Sequence, residues 1–167
     1  KEGSEKFPTQ EYFIGNLMDY YIQKGQVDTA LSEIDAILAK NETPYFLYVK
    51  GVLQYEKKDY DNAIATFNSL IAKNDGFVGE AYSQIGNCYF FPAQELVEEN
   101  SKISMDDPQY AANEAKIKEL YEKAVPNYEK AKELKPDNKQ LWGQFLLNIY
   151  WKLNKAEYDA LEKELAQ

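Results

Sequence analysis

Apolar residues along the chain recur at intervals of three and four, which is the spacing of the buried face of an α-helix. The pattern is clearest from 44 to 73, where two such stretches are separated by a polar turn at Lys57-Lys58-Asp59. Thr43-Pro44 precedes the first stretch, and a threonine cap followed by a first-turn proline is a typical helix start. The pattern therefore predicts two helices joined by a short turn.

The same arrangement of apolar positions occurs before and after this hairpin. Ala30 and Ala63 lie 33 residues apart, and a small residue suits a point where two helices cross closely. Repetition at such a period is typical of stacked helical hairpins, in which each pair buries its apolar side against its neighbours. We therefore expect one all-α domain over residues 1–167, with four units at about 11–42, 44–76, 78–136 and 138–166.

The third unit contains about 26 residues more than the repeat requires, between Tyr89 and Tyr121. An unstructured loop of that length would be unusual in a compact domain, so we expect two longer helices that form an arm over 91–120. Asp107-Pro108 predicts the start of the returning helix. Phe91-Pro92 is expected to interrupt the outgoing helix or to restart it. The arm either packs on itself or contacts a partner or a second copy of the chain.

At its apolar positions the third unit resembles the tetratricopeptide repeat (TPR), whose consensus is W-x2-L-G-x2-Y, then A-x3-F, then P. Its matching residues are Tyr82, Ile85, Gly86, Tyr89, Tyr121, Ala124, Tyr128, Ala131 and Pro136. The second unit departs from the consensus at Lys50 and Gln54 but matches it at Leu47, Gly51, Tyr60, Ala63 and Phe67. The resemblance implies a right-handed α-solenoid whose third hairpin carries the insertion, similar to TPR proteins of Bacteroidetes-type bacteria.

Composition narrows the chemistry that the chain can perform. It contains no histidine and no arginine, and Cys88 is its single cysteine. Ser-His-Asp and Cys-His catalysis, histidine-ligated zinc and cysteine metal clusters are thereby excluded. The net charge of -9 disfavours nucleic-acid phosphates, and no stretch approaches the length of a membrane span. We expect no enzymatic activity, cofactor, metal or nucleic-acid partner, and a buried, unreactive Cys88.

The resemblance also implies where a partner would bind, because in TPR proteins the first helix of each repeat lines a concave groove that usually takes peptides. The equivalent residues expected to contact a partner here are Tyr12, Asp19, Ile22, Tyr45, Tyr48, Val52, Tyr55, Ser83, Asn87, Phe90, Leu147 and Tyr150. Of the positions that clamp a C-terminal carboxylate in some TPR domains, only Asn87 matches. We therefore expect a protein-interaction scaffold that binds an apolar or aromatic-bearing segment and not an acidic C-terminal tail.

Several alternatives stay open at this point. A glycan- or small-molecule-binding protein of the cell envelope would use aromatic faces and amides to hold its ligand. A carboxylate-based enzyme would need two acids in one cleft, for which Asp19 and Glu80 are the groove candidates. The resemblance favours an exported, periplasmic or cell-envelope protein over a cytoplasmic one. Because the first helix is apolar around most of its circumference, we expect repeats before Lys1, making this the C-terminal part of a longer protein, or self-association through that helix or the arm.

Overall fold

The structure, a computed structural model, describes residues 11–73 and 76–166. Within these ranges all regular structure is helical, which confirms the all-α prediction. The α-helices are α1 (Glu11–Gln23), α2 (Val27–Leu38), α3 (Pro44–Glu56), α4 (Tyr60–Lys73), α5 (Val78–Asn100), α6 (Pro108–Leu134), α7 (Gly143–Lys152) and α8 (Tyr158–Leu165), with a short 3-10 turn at Lys139–Leu141. None of the helices in the described ranges is both long and apolar enough to cross a bilayer.

The chain divides into two compact units, a first unit over Lys1–Ala81 and a second unit over Tyr82–Gln167. The first unit contains α1 to α4. The Thr43 Oγ1 accepts a hydrogen bond of 3.3 Å from the Phe46 amide, so the predicted helix start is confirmed. The core of this unit includes the buried residues Ile14, Met18, Ala30, Ile34, Phe46, Val49 and Leu53.

Contacts between paired helices of the first unit recur with the 33-residue offset seen in the sequence. The Tyr21 hydroxyl donates to Glu33 over 2.8 Å, and the Thr66 hydroxyl donates to Gln54 over 2.6 Å. Each bond joins the first helix of a hairpin to the second, so α1–α2 and α3–α4 hold their helices together through equivalent positions.

The turns inside the hairpins also share one geometry. Gly25 and Lys58 adopt positive φ angles of 67° and 60°, and the residue after each donates its amide hydrogen back to the carbonyl five positions earlier. Asn154, with φ of 50°, occupies the same place between α7 and α8 in the second unit. A left-handed residue with this backbone bond is the usual way to satisfy the last carbonyls of a helix.

The two longest described helices, α5 and α6, run antiparallel, and the second unit contains α6 and the part of α5 from Tyr82 onward. Tyr128 donates to the Asn87 Oδ1 over 2.7 Å near one end of the pair, and Gln94 Nε2 lies 2.6 Å from the Tyr121 hydroxyl further along. Pro92 lies inside α5, so the expectation that Phe91-Pro92 interrupts or restarts this helix is wrong. Because proline has no amide hydrogen, the helix lacks one backbone hydrogen bond at this point, yet it continues. The adjacent Ala93 is buried.

A buried polar network closes the far end of this helix pair. The Asn113 Nδ2 donates to Asn100 Oδ1 over 2.9 Å, and the Asn100 Nδ2 donates in turn to Glu114 over 2.9 Å. Asp107 caps α6 by accepting from the Gln109 amide over 2.8 Å, as the sequence predicted. The two helices are connected by a short turn over 101–107. Next to this turn, the hydrogen bonds of Asn100 also hold the helices together.

Candidate functional site

Five of the predicted binding residues line one pocket of about 190 Å³ in the first unit. We call this the first-unit pocket. Its wall from α1 carries Gly15, Met18, Asp19 and Ile22, and its wall from α3 carries Tyr45, Tyr48, Val49, Val52 and Leu53. Residues three and four apart in a helix share one face, so the predicted positions of each helix reach the same space. The five predicted residues therefore lie on the sides of α1 and α3 that face this pocket.

Tyr45 and Tyr48 shape the pocket through contacts on either side of it. The Tyr45 hydroxyl approaches α1 so closely that a Cβ at Gly15 would lie 2.5 Å from its oxygen. The Tyr48 ring stacks on Phe77, with centroids 5.4 Å apart and planes inclined by 22°. Gly15 therefore makes room for the Tyr45 hydroxyl, while Phe77 supports the ring of Tyr48.

The first-unit pocket is apolar apart from a single carboxylate and the tyrosine hydroxyls. Of the nine described lining residues only Asp19 is charged, and its side chain is exposed. The other groove acid considered from the sequence, Glu80, is not among these nine residues. The arrangement suits an apolar group with a positive charge beside it.

The remaining predicted residues lie elsewhere. Tyr12 is 75% exposed, and Tyr55 is half-buried with its ring 5.8 Å from that of Tyr60. Ser83 is buried and donates to the Leu141 carbonyl over 2.6 Å. Asn87 accepts from Tyr128, as described above.

Tyr150, the last of the predicted residues in α7, faces the interior of the second unit. It is buried and donates to Glu129 over 2.8 Å. Burial, together with this bond to a carboxylate, raises the pKa of Tyr150 above its ordinary value. Ser83 and Tyr150 therefore serve internal contacts and are not part of the binding surface proposed below.

Phe90 and Leu147 line a second and larger cavity of about 470 Å³, the second-unit cavity. The other lining residues are Phe91, Gln144, Phe145, Asn148, Trp151 and Tyr158. These six were not predicted as a site. A signal for them exists in the sequence, because Gln144, Leu147, Asn148 and Trp151 have the spacing of one helical face.

Two side chains that could act as nucleophiles, those of Cys88 and Tyr121, are buried in the second unit. Cys88 is 2% exposed, and burial raises the pKa of its thiol to about 12. Burial also raises the pKa of Tyr121 to about 12. Within residues 11–73 and 76–166, no group of three or more Cys, Asp or Glu side chains is placed to hold a metal ion.

Comparisons with known proteins add no identification. No protein-family model matches the chain, and no curated protein and no solved structure matches it either.

Proposed function

We propose that the chain is a non-enzymatic, TPR-like interaction module that binds a segment of a partner protein in the first-unit pocket. The observation that carries this proposal is that five predicted groove residues, from two different helices, line one pocket of about 190 Å³. In a TPR array these two helices are the first helices of successive repeats. The right-handed solenoid and the role of the long third hairpin as an inserted arm belong to the same proposal.

Recurring contacts at consensus positions support a repeat origin. A Cβ added at Gly51 would lie 2.5 Å from the Phe67 ring, and one added at Gly86 would lie 2.7 Å from the Tyr128 ring. Each glycine is in the first helix of its hairpin, and each ring comes from the second helix. The consensus has a glycine and an aromatic residue at these places, which is what close helix packing around a ring requires.

The shape and charge of the pocket favour one class of partner segment. The tyrosine rings and the aliphatic side chains of Ile22 and Val52 would bury an apolar or aromatic side chain. Asp19 would attract a lysine or arginine next to that anchor, and the net charge of -9 would draw a basic segment towards the protein. An acidic C-terminal tail would meet repulsion from both.

Peptide selection from a random display library, using the whole chain as bait, tests this function. Selected peptides should share an aromatic or aliphatic residue flanked by a basic one. Asp19→Lys should weaken the best peptide by about tenfold or more, because an attractive charge pair at the rim of the pocket is replaced by repulsion. Asp61→Lys, the same change at an exposed position of α4, is the matched control and should have little effect.

Two results would contradict the proposal. One is selection of acidic peptides, or of peptides whose affinity is the same in the Asp19→Lys and Asp61→Lys variants. The other is retained binding after Tyr48→Ala in a variant whose circular dichroism shows a folded protein. Either result would mean that partner segments do not enter the first-unit pocket.

A further inference from the structure

The helix α7 has one face in the core of the second unit and another that lines the second-unit cavity. Leu146, Ile149 and Tyr150 are buried inside the second unit. The other face carries Gln144, Leu147, Asn148 and Trp151 towards the second-unit cavity. Trp151 is 60% exposed, which is unusual for the largest apolar side chain. Packing within the unit accounts for Leu147, which contacts the core, but not for the exposed Trp151.

Aromatic rings on α5 and α7, which contact one another, form another part of the cavity lining. Phe90 lies edge-on to Phe91 and to Phe145, with centroid distances of 5.4 and 5.3 Å. Phe145 is itself stacked on the buried Tyr128, 5.0 Å away with nearly parallel planes. These contacts hold the rings in place, while Phe91 remains 38% exposed.

Amides supply the polar part of the cavity. The Asn148 Oδ1 accepts a hydrogen bond of 3.3 Å from Gln94, which orients its amide. Among the described residues, no protein group bonds to the Asn148 Nδ2 or to the Gln144 amide. None of the eight described lining residues carries a charge. A ligand in this space would meet flat apolar surfaces and neutral groups that both donate and accept hydrogen bonds.

We propose that the second-unit cavity binds a neutral carbohydrate. A sugar ring offers C–H faces that pack on aromatic planes and hydroxyls that both donate and accept, which matches Trp151, Phe91 and the amides. A purely apolar peptide side chain would leave the amides without partners, which is costly. The Lys152 ammonium lies beside the cavity, 5.5 Å from the centre of the Trp151 ring, but none of the described lining residues is charged. The net charge of -9 on the protein disfavours an anionic saccharide. The volume also lies within the range of about 300–1,000 Å³ typical of small-molecule sites.

Tryptophan fluorescence gives a direct readout, because the chain has two tryptophans and Trp142 is fully buried. The probes are neutral hexaoses of glucose, mannose, xylose and N-acetylglucosamine, each titrated to millimolar concentration against the whole chain and followed in parallel by calorimetry. Hyaluronan fragments serve as the anionic comparison. At least one neutral hexaose should bind, change the Trp151 emission and protect it from quenching by acrylamide.

Variants then locate the binding. Trp151→Ala should weaken the best hexaose by about tenfold or more, and the double change of Gln144 and Asn148 to Ala should do the same without removing a ring. Tyr20→Ala, which removes a ring that is 53% exposed in the first unit, should leave affinity unchanged. Asp19→Lys should also leave it unchanged, which separates this site from the first-unit pocket.

Three outcomes would overturn the proposal. The first is that no neutral hexaose binds at millimolar concentration. The second is that binding persists in both the Trp151 variant and the double amide variant. The third is that hyaluronan binds more tightly than every neutral hexaose, which would mean that a charged ligand is preferred.

Discussion

Two glycines in first-unit helices differ in what lies beside them. At Gly15 an added methyl group would meet the end of the Tyr45 side chain, whereas at Gly51 it would meet the fully buried ring of Phe67 at three atoms. Glycine to alanine normally stabilises a helix interior by about 1 kcal/mol, because glycine loses more conformational freedom on folding. We expect that gain to survive at Gly15 and to be outweighed at Gly51.

Urea unfolding of the two single variants tests this contrast. Gly51→Ala should destabilise the protein by about 1–3 kcal/mol, since an overpacked ring with no space to move displaces its neighbours. Adding Phe67→Leu should cost less in the Gly51→Ala background than in the wild-type protein. Equal stability changes at Gly15 and Gly51 would show that the Phe67 ring can move aside.

Burial of Cys88 predicts a loss of stability at alkaline pH. The thiol pKa rises from its ordinary 9.0 to about 12 in the folded protein, so the unfolded chain loses this proton first. The contribution is complete below about pH 9 and disappears as the pH approaches 12. Tyr121 acts in the same direction, from 10.0 to about 12.

The free energy of unfolding should therefore fall between about pH 9 and 12, as measured by urea titrations at several pH values. Cys88→Ala removes one of the responsible groups and should give a shallower fall over the same interval. A slope that is identical in Cys88→Ala would mean that the thiolate is tolerated inside the second unit.

At the scale of elements, the pair Asn100 and Asn113 fastens the ends of α5 and α6. Both side chains are less than 10% exposed, and each contributes to the bond between them. Removing one partner leaves one buried polar atom of the other unpaired, either the Asn100 Oδ1 or the Asn113 Nδ2, which costs about 1–3 kcal/mol. Replacing both residues should cost clearly less than the sum of the two single changes. The reason is that the double variant no longer contains the polar atom that each single change leaves unpaired.

A double-mutant cycle with Asn100→Ala, Asn113→Ala and the double variant measures this coupling by urea unfolding. Lys102→Ala, which breaks only the exposed ion pair with Glu98, is the control and should change stability by about 0.5 kcal/mol or less. Additive losses at Asn100 and Asn113 would contradict the interpretation that the two amides act as a unit.

Local signals in the sequence were enough to place the starts of α3 and α6. Thr43 and Asp107 cap these helices as expected, and Cys88 is buried as expected. Helix continuation through Pro92 was missed, because packing across the helix pair decides it and local preference does not. In α7 the sequence predicted Leu147 and Tyr150 as binding residues; Leu147 lines the second-unit cavity, whereas Tyr150 is buried and Gln144, Asn148 and Trp151 were not predicted. A binding face and a packing face have the same spacing, and only exposure separates them.

At the scale of the whole molecule, the TPR-like proposal makes a prediction about how stability is distributed. In a stack of repeats each hairpin contacts its neighbours alone, so destabilisation stays near the altered hairpin. A single cooperative core would instead pass it to every helix. Gly51→Ala and Gly86→Ala place the same kind of clash, glycine against an aromatic ring, in the first and second units.

Native-state hydrogen exchange, read by mass spectrometry on peptides from each helix, distinguishes the two behaviours. Gly51→Ala should speed exchange most in α3 and α4, and Gly86→Ala most in α5 and α6. Comparing two equivalent clashes removes the objection that one site is simply more sensitive than the other. If both variants speed exchange uniformly from α1 to α8, the chain unfolds as one cooperative block. The proposal that stability is distributed repeat by repeat would then be wrong.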